Sequence, residues 1–312
     1  AGTYNPLNGS NSSADCIDVP AGNYSTPGSP SPIPCLEGSW QNQTGQPYCT
    51  NASAGYYVDT NGSTSQTPAS AGHYVDTNGS TSQTPCVLGT WQNQTAQTSC
   101  MNASEGYYVD TNGSTSQTPA SAGHYVDTNG STSQTPCVLG TWQNQTAQTS
   151  CMNASEGYYV DTNGSVTQTP CPTGTWNNLT GQASCTNASA GYYVDTNGSV
   201  TQTPCPTGTW NNLTGQASCT NASAGYYVDT NGSVTQTPCD AGTYNPLNGS
   251  NSSADCIDVP AGNYSTPGSP SPIPCLEGSW QNQTGQPYCT NASAGYYVDT
   301  NGSTSQTPAS AG

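Results

Sequence analysis

The sequence predicts an all-β repeat array: tandem hairpin units of about 17 residues, stacked into an elongated, disulfide-stapled rod or solenoid with little conventional core. Three observations predict it. Glycine recurs at 17-residue steps from Gly38 to Gly242, thirteen positions without an insertion, and Tyr or Trp stands two residues after each one. Cysteines recur in pairs with thirteen residues between them. Val, Ile, Leu and Phe together number only 27 of 312 residues, with no Phe at all, which is too few for a large apolar core. An unbroken register of this kind is the mark of a stacked array in which each unit meets its neighbours. Covalent staples and neighbour stacking then stand in for the missing core.

Taken in chain order, residues 241–312 copy residues 1–72 without a change. Residues 1–240 therefore form one full super-repeat of about fourteen units, and 241–312 are the start of the next. Cys239 directly precedes the second copy, so this register expects the partner of Cys16 just before Ala1; a free or intermolecular thiol is the alternative.

Units come in two types. "AGYYVDTNGSVTQTP", as at 190–204, reads as strand, Asn-Gly turn and strand, with "YYVD" and "VTQT" as the strands and Pro as punctuation before the next unit. "CPTGTWNNLTGQAS" is closed by a second cysteine. The same gap recurs for Cys35 with Cys49, Cys86 with Cys100, Cys137 with Cys151, Cys171 with Cys185, Cys205 with Cys219 and Cys275 with Cys289. Pairing within these loops keeps one geometry throughout, whereas pairing between them does not; Cys239 with Cys256 is a slightly longer version. Each closed loop of about 15 residues stabilises by roughly 3 kcal/mol. Fifteen cysteines with two His and no Cys-x-x-Cys pair point to disulfides rather than zinc, hence to an extracellular or cell-surface protein of the secretory pathway.

Charge narrows the functions. No Lys or Arg accompanies 17 acidic residues, which removes the ordinary means of binding nucleic acid or an anionic membrane. No apolar run approaches a membrane span. "VDTNGS" offers oxygen ligands, but one carboxylate per unit is too few for a strong calcium site, and an Asx-type turn is the preferred reading. His73 and His124 stand where other units have Tyr or Thr, and no catalytic set is visible, so neither an enzyme nor a cofactor or metal is expected.

Of 30 Asn, 26 lie in Asn-x-Ser/Thr, the acceptor for N-linked glycans. Asn-Gly-Ser begins at Asn8, Asn61, Asn78, Asn112, Asn129, Asn163, Asn197, Asn231, Asn248 and Asn301. Asn-Ala-Ser begins at Asn51, Asn102, Asn153, Asn187, Asn221 and Asn291. Asn-Gln-Thr begins at Asn42, Asn93, Asn144 and Asn282, and Asn-Leu-Thr at Asn178 and Asn212. Asn11 and Asn251 open Asn-Ser-Ser, and Asn23 and Asn263 open Asn-Tyr-Ser. All six Trp, namely Trp40, Trp91, Trp142, Trp176, Trp210 and Trp280, precede a sequon Asn by two residues. An indole there can carry the apolar face of a sugar ring, or it can join a row of buried aromatics along the array.

"CPTGTW" with "GQASC", "CDAGTY" and "AGYYVDTNGSVTQTPC" together resemble the ephrin-receptor-like cysteine-rich repeats, relatives of the tumour-necrosis-factor-receptor modules. The resemblance implies an elongated, disulfide-laddered extracellular rod. Near-identical units suit a structural glycoprotein, a heavily N-glycosylated filament, stalk or surface appendage whose partners are further copies of the same chain. The alternative is an adhesin or receptor ectodomain with its ligand surface in the Pro/Ser-rich segment 17–35.

Overall fold

The computed structural model describes residues 1–310 and contains eighteen two-stranded antiparallel hairpins among them, with two short 3-10 turns, Ser13–Asp15 and Ser253–Asp255. The chain falls into two compact bodies, residues 1–152 with 162–167, and residues 153–161 with 168–312. Each is a tandem array of the same hairpin.

One hairpin of the second body shows how the sequence makes the fold. Pro172 to Thr175 is a tight turn, closed by the Thr175 N–H donating to the Pro172 carbonyl at 3.0 Å. Its third residue, Gly174, has φ +83°, as a type II turn requires. The strand Thr175–Trp176 then pairs with Thr186–Asn187 in the register Thr175↔Asn187 and Trp176↔Thr186. We number the residues of each hairpin from its buried first residue: Cys171 is position 1, Gly174 position 4, Trp176 position 6 and Asn187 position 17.

Strands are shorter than the sequence suggests. Tyr192–Tyr193 pairs with Thr203–Pro204, so only the start of "YYVD" and the end of "VTQTP" are strand. The Asn-Gly pair sits inside the long connection between them and is not a two-residue hairpin turn. A type I′ turn needs positive φ at both central residues. Among the described residues, the only non-glycines with positive φ are Ala96 and Ala147, so only the glycine of each Asn-Gly pair has it. Hydroxyls close this turn, as where Ser199 Oγ donates to the Thr196 carbonyl at 2.8 Å.

The core is two side chains deep per hairpin. Position 1 is Cys, Ala or Val, wholly buried at Cys171, Ala188 and Val19. Position 7 is Val in most hairpins that lack cysteine, as at Val194, Ser at Ser25 and Ser265, and an amide where the hairpin has cysteines, as at Asn177 and Gln92. The buried amides are satisfied locally: Asn177 Oδ1 accepts from the Leu179 N–H at 3.1 Å, and its Nδ2 donates to the Tyr158 carbonyl at 3.1 Å. Such a core is possible because the amides it encloses at position 7 are paired.

Backbone hydrogen bonds join successive hairpins. In the second body the Gly174 N–H donates to the Val194 carbonyl at 2.7 Å, Asn177 N–H to Ser199 carbonyl at 3.1 Å and Gly198 N–H to Cys171 carbonyl at 2.7 Å. The first body repeats the set with Gly72 to Gln92, Val75 to Gln97 and Gly113 to Cys86. Contact extends one hairpin further than neighbour stacking alone requires. A Cβ placed on Gly174 would lie 2.2 Å from the carbonyl oxygen of Gly215, two hairpins on. Position 4 is therefore Gly both for its φ and because a backbone turn occupies the space of a side chain.

Identical sequence supplies an internal control. Gly38 and Gly278 are copies, yet a Cβ on Gly38 would meet Gly79 oxygen at 2.3 Å, while at Gly278, with no hairpin described after Pro308, nothing lies within 4 Å. Tyr296 and Tyr297 are each 45% exposed, whereas their copies Tyr56 and Tyr57 are half-buried under the hairpins that follow. The burial of these rings is thus a property of the array and not of the single hairpin.

Candidate functional site

Seven disulfides close hairpins from position 1 to position 15: Cys35 to Cys49, Cys86 to Cys100, Cys137 to Cys151, Cys171 to Cys185, Cys205 to Cys219 and Cys275 to Cys289, with Cys239 to Cys256 spanning a longer loop. Their Cα atoms stand 5.7 or 5.8 Å apart. Cys16 is exposed and free.

Hairpins without cysteine carry a substitute that sequence reading missed. In all of them except 19–34 and its copy 259–274, position 15 is Gln, and its Oε1 accepts from the backbone N–H of position 2: Gln66 from Ser53 at 2.8 Å, Gln83 from Ser70 at 2.7 Å, Gln202 from Ser189 at 2.7 Å. The same bond forms from Gln117, Gln134, Gln168, Gln236 and Gln306. A neutral hydrogen bond thus closes the loop that a disulfide closes elsewhere. Aligning the two hairpin types by their glycines places each Gln on the second cysteine, which is the signal that would have revealed it.

The asparagines separate by environment. Every sequon Asn is exposed except Asn23 and Asn263, which are half-buried. The four Asn outside sequons, Asn5, Asn177, Asn211 and Asn245, all occupy position 7; the last three are buried and Asn5 is half-buried. Every buried Asn therefore lies outside the acceptor triplet, and every exposed Asn lies within it.

Exposed sequons form three ladders. Position 10 is the Asn of Asn-Gly-Ser, and in seven of the ten its Oδ1 accepts from the preceding hairpin: Asn61 from the Glu37 N–H at 2.9 Å, Asn78 from Ala54 at 2.8 Å, Asn197 from Thr173 at 3.0 Å, and likewise Asn129, Asn231, Asn248 and Asn301. The bond engages the oxygen and leaves Nδ2, the atom a glycan takes, free of it. Position 17 carries Asn-Ala-Ser, as at Asn51 and Asn187, on the second strand. Position 8 carries Asn42, Asn93, Asn144, Asn178, Asn212 and Asn282, always in disulfide hairpins. Asn23 and Asn263 differ again, because Nδ2 of each donates to the carbonyl of Ala21 or Ala261 at 3.2 Å.

All six Trp are half-buried at position 6, and the indole nitrogen of each is buried with no hydrogen-bond partner. Leaving such a donor unpaired costs about 1–3 kcal/mol. His73 and His124 lie on first strands, each within 3.4 Å of a serine hydroxyl and a backbone carbonyl through Nδ1. Among the described residues, no group of three or more His, Cys, Asp and Glu is placed to hold a metal, and no helix is long and apolar enough to cross a membrane.

Comparison of the chain with protein-family models and with curated proteins finds no match. The resemblance to ephrin-receptor-like repeats therefore rests on its short motifs alone.

Proposed function

We propose that the chain is a structural extracellular glycoprotein, a filament, stalk or surface appendage coated with N-linked glycans, without enzymatic activity. The observation that carries this reading is the repetition of one interlock. The position 4 N–H bonds to the position 7 carbonyl of the next hairpin, and the position 11 N–H returns to position 1, along each body. A fibre uses one contact many times, whereas a receptor needs something unique at one place. The seven disulfides support an oxidising compartment. The segregation of exposed sequon Asn from buried non-sequon Asn supports a glycan coat. The adhesin reading gains nothing from segment 17–35, where Asn23–Tyr24 and Ile33–Pro34 pair as a hairpin of the ordinary kind.

Electron microscopy of the native material before and after enzymatic deglycosylation tests the proposal. Long uniform filaments whose diffuse coat thins on treatment are expected. Short monomeric rods under every condition would overturn it.

A further inference from the structure

At three places where a cysteine-free hairpin precedes a disulfide hairpin, before Cys86, Cys137 and Cys171, an open groove lies between them. Tyr74 and Asp76 of one hairpin form one wall, and Val87, Thr90, Ser99 and Cys100 of the next form the other, around about 340 Å³. The lining repeats as Tyr125, Asp127, Val138, Thr141, Ser150 and Cys151 around about 270 Å³. In the second body Tyr159 faces Pro172, Thr175, Ser184 and Cys185 around about 250 Å³. These volumes lie near the small end of the range for ligand pockets, roughly 300–1,000 Å³.

The chemistry of the walls selects the occupant. An aromatic ring offers its face to apolar C–H groups, threonine and serine hydroxyls both donate and accept, and a carboxylate accepts from hydroxyls. The chain has no Lys or Arg to neutralise Asp76 or Asp127, so the groove repels phosphate, sulfate and carboxylate ligands. A neutral polyol with one apolar face fits, and a hexopyranose is such a group.

Positions 6 to 8 supply an independent pointer. Cysteine-free hairpins other than 19–34 and 259–274 read Tyr-Val-Asp there, as at 74–76, and disulfide hairpins other than the one from Cys239 read Trp-Gln-Asn or Trp-Asn-Asn, as at 91–93 and 176–178. Tyr74 and Asp76 line an open groove; the corresponding residues of the next hairpin are a Trp and a glycan acceptor. A sugar on Asn93 is thus tethered at the position that Asp76 holds, beside Trp91 in place of Tyr74. One hairpin type carries its sugar covalently, and the other presents an equivalent surface with a carboxylate where the tether would be.

We infer that the Tyr/Asp grooves bind a neutral hexose unit, and that the occupant is an N-linked glycan of a second copy of this chain. The first part stands on the grooves alone; the second rests on the glycoprotein reading above. A single groove is open and binds weakly, but regular spacing along two chains multiplies weak contacts into stable lateral association.

The test uses the full chain secreted by a bacterial host that folds disulfides without adding N-glycans. Free chitobiose and mannotriose are titrated by saturation-transfer NMR, with methyl phosphate, whose methyl protons report binding, as the anionic probe. Saccharide signals at millimolar concentration and none from methyl phosphate are expected. Replacing Asp76 and Asp127, which line their grooves, together with Asp161, which holds the same position 8 in the third hairpin, by Ala weakens binding at least about tenfold, and these exposed side chains can be removed without unfolding the array. Replacing Tyr74, Tyr125 and Tyr159 by Phe retains binding. Absence of saccharide binding to the folded chain, or an unaltered affinity in the triple Ala variant, overturns the proposal. In a second arm, glycosylated chains are sedimented alone and with the triple variant. Lateral association lost on glycan removal and in the variant supports the second-copy occupant. Saccharide binding without association assigns the grooves to free saccharide and overturns that occupant. Should the native chain prove unglycosylated, the function proposed above fails while the first arm still decides the groove.

Discussion

If glutamine at position 15 does the work of a cysteine, a disulfide hairpin converted to the other type should fall short by a calculable amount. The perturbation is Cys171→Ala with Cys185→Gln, which reproduces the pair Ala188 and Gln202 of the next hairpin. Loss of the covalent loop costs about 3 kcal/mol by chain entropy. The restored bond from Gln Oε1 to the position 2 N–H, 2.7 Å in the neighbour, returns about 1 kcal/mol. Position 2 is Pro172, however, and has no N–H to give. The full conversion therefore also needs Pro172→Ser. With it, the variant should lie about 2 kcal/mol below the parent; with Pro172 retained, nearer 3. Arrays do not melt in one step, so hydrogen exchange of residues 171–187 is the proper assay, read against the unaltered hairpins as reference. Equal protection with Pro and with Ser at 172 would refute the role given to glutamine. The reverse change, Ala188→Cys with Gln202→Cys, should close spontaneously under oxidising conditions, because the equivalent residues elsewhere stand 5.7 or 5.8 Å apart at Cα. Thiols that stay free by mass spectrometry would count equally against it.

Three further outcomes are expected. Gly174→Ala should destabilise by more than about 3 kcal/mol, through the clash with Gly215 oxygen together with a left-handed φ, and should expose the adjoining hairpins to proteolysis; unchanged resistance would contradict the interlock. Ala96→Gly and Ala147→Gly should each stabilise by about 0.5–1 kcal/mol, because φ values of 56° and 58° strain an alanine more than they restrict a glycine, and a raised guanidinium midpoint checks this. In glycopeptide mapping of the native protein, Asn23 and Asn263 should be the least occupied sequons, since their Nδ2 atoms already donate to backbone carbonyls; full occupancy there would break the link between Nδ2 freedom and glycosylation.

Periodicity made the fold legible. The glycine register marks position 4, where neither the φ nor the space admits a side chain, and the constant cysteine gap marks a loop of fixed length. Hairpin detail was less legible for a physical reason. "VTQT" alternates like a strand, but residues such as Val200 point to solvent, 40% exposed, and the pairing that would make a longer strand is displaced by hydrogen bonds to the next hairpin. The glutamine closure escaped notice because Gln carries no spacing rule of its own and acquires meaning only when the two hairpin types are superposed. The grooves were invisible for a related cause: each is built from two hairpins, and Tyr74 gives no sign in sequence that it faces Ser99.

The division of labour among these bonds has a mechanical consequence. Disulfides and glutamine closures act within a hairpin, while the bonds at positions 4, 7 and 11 act between hairpins. Reduction should therefore loosen the disulfide hairpins alone without erasing the register, because Gly191, in a hairpin that lacks cysteine, still donates to Asn211 at 2.7 Å. Under a pulling force the intact disulfides cap the extension of the hairpins that hold them, and the cysteine-free hairpins yield first. Interspersion of the two types, every second or third hairpin carrying a disulfide, thus gives a chain whose compliance is spread along its length, with stiff hairpins that limit how far any opening can propagate.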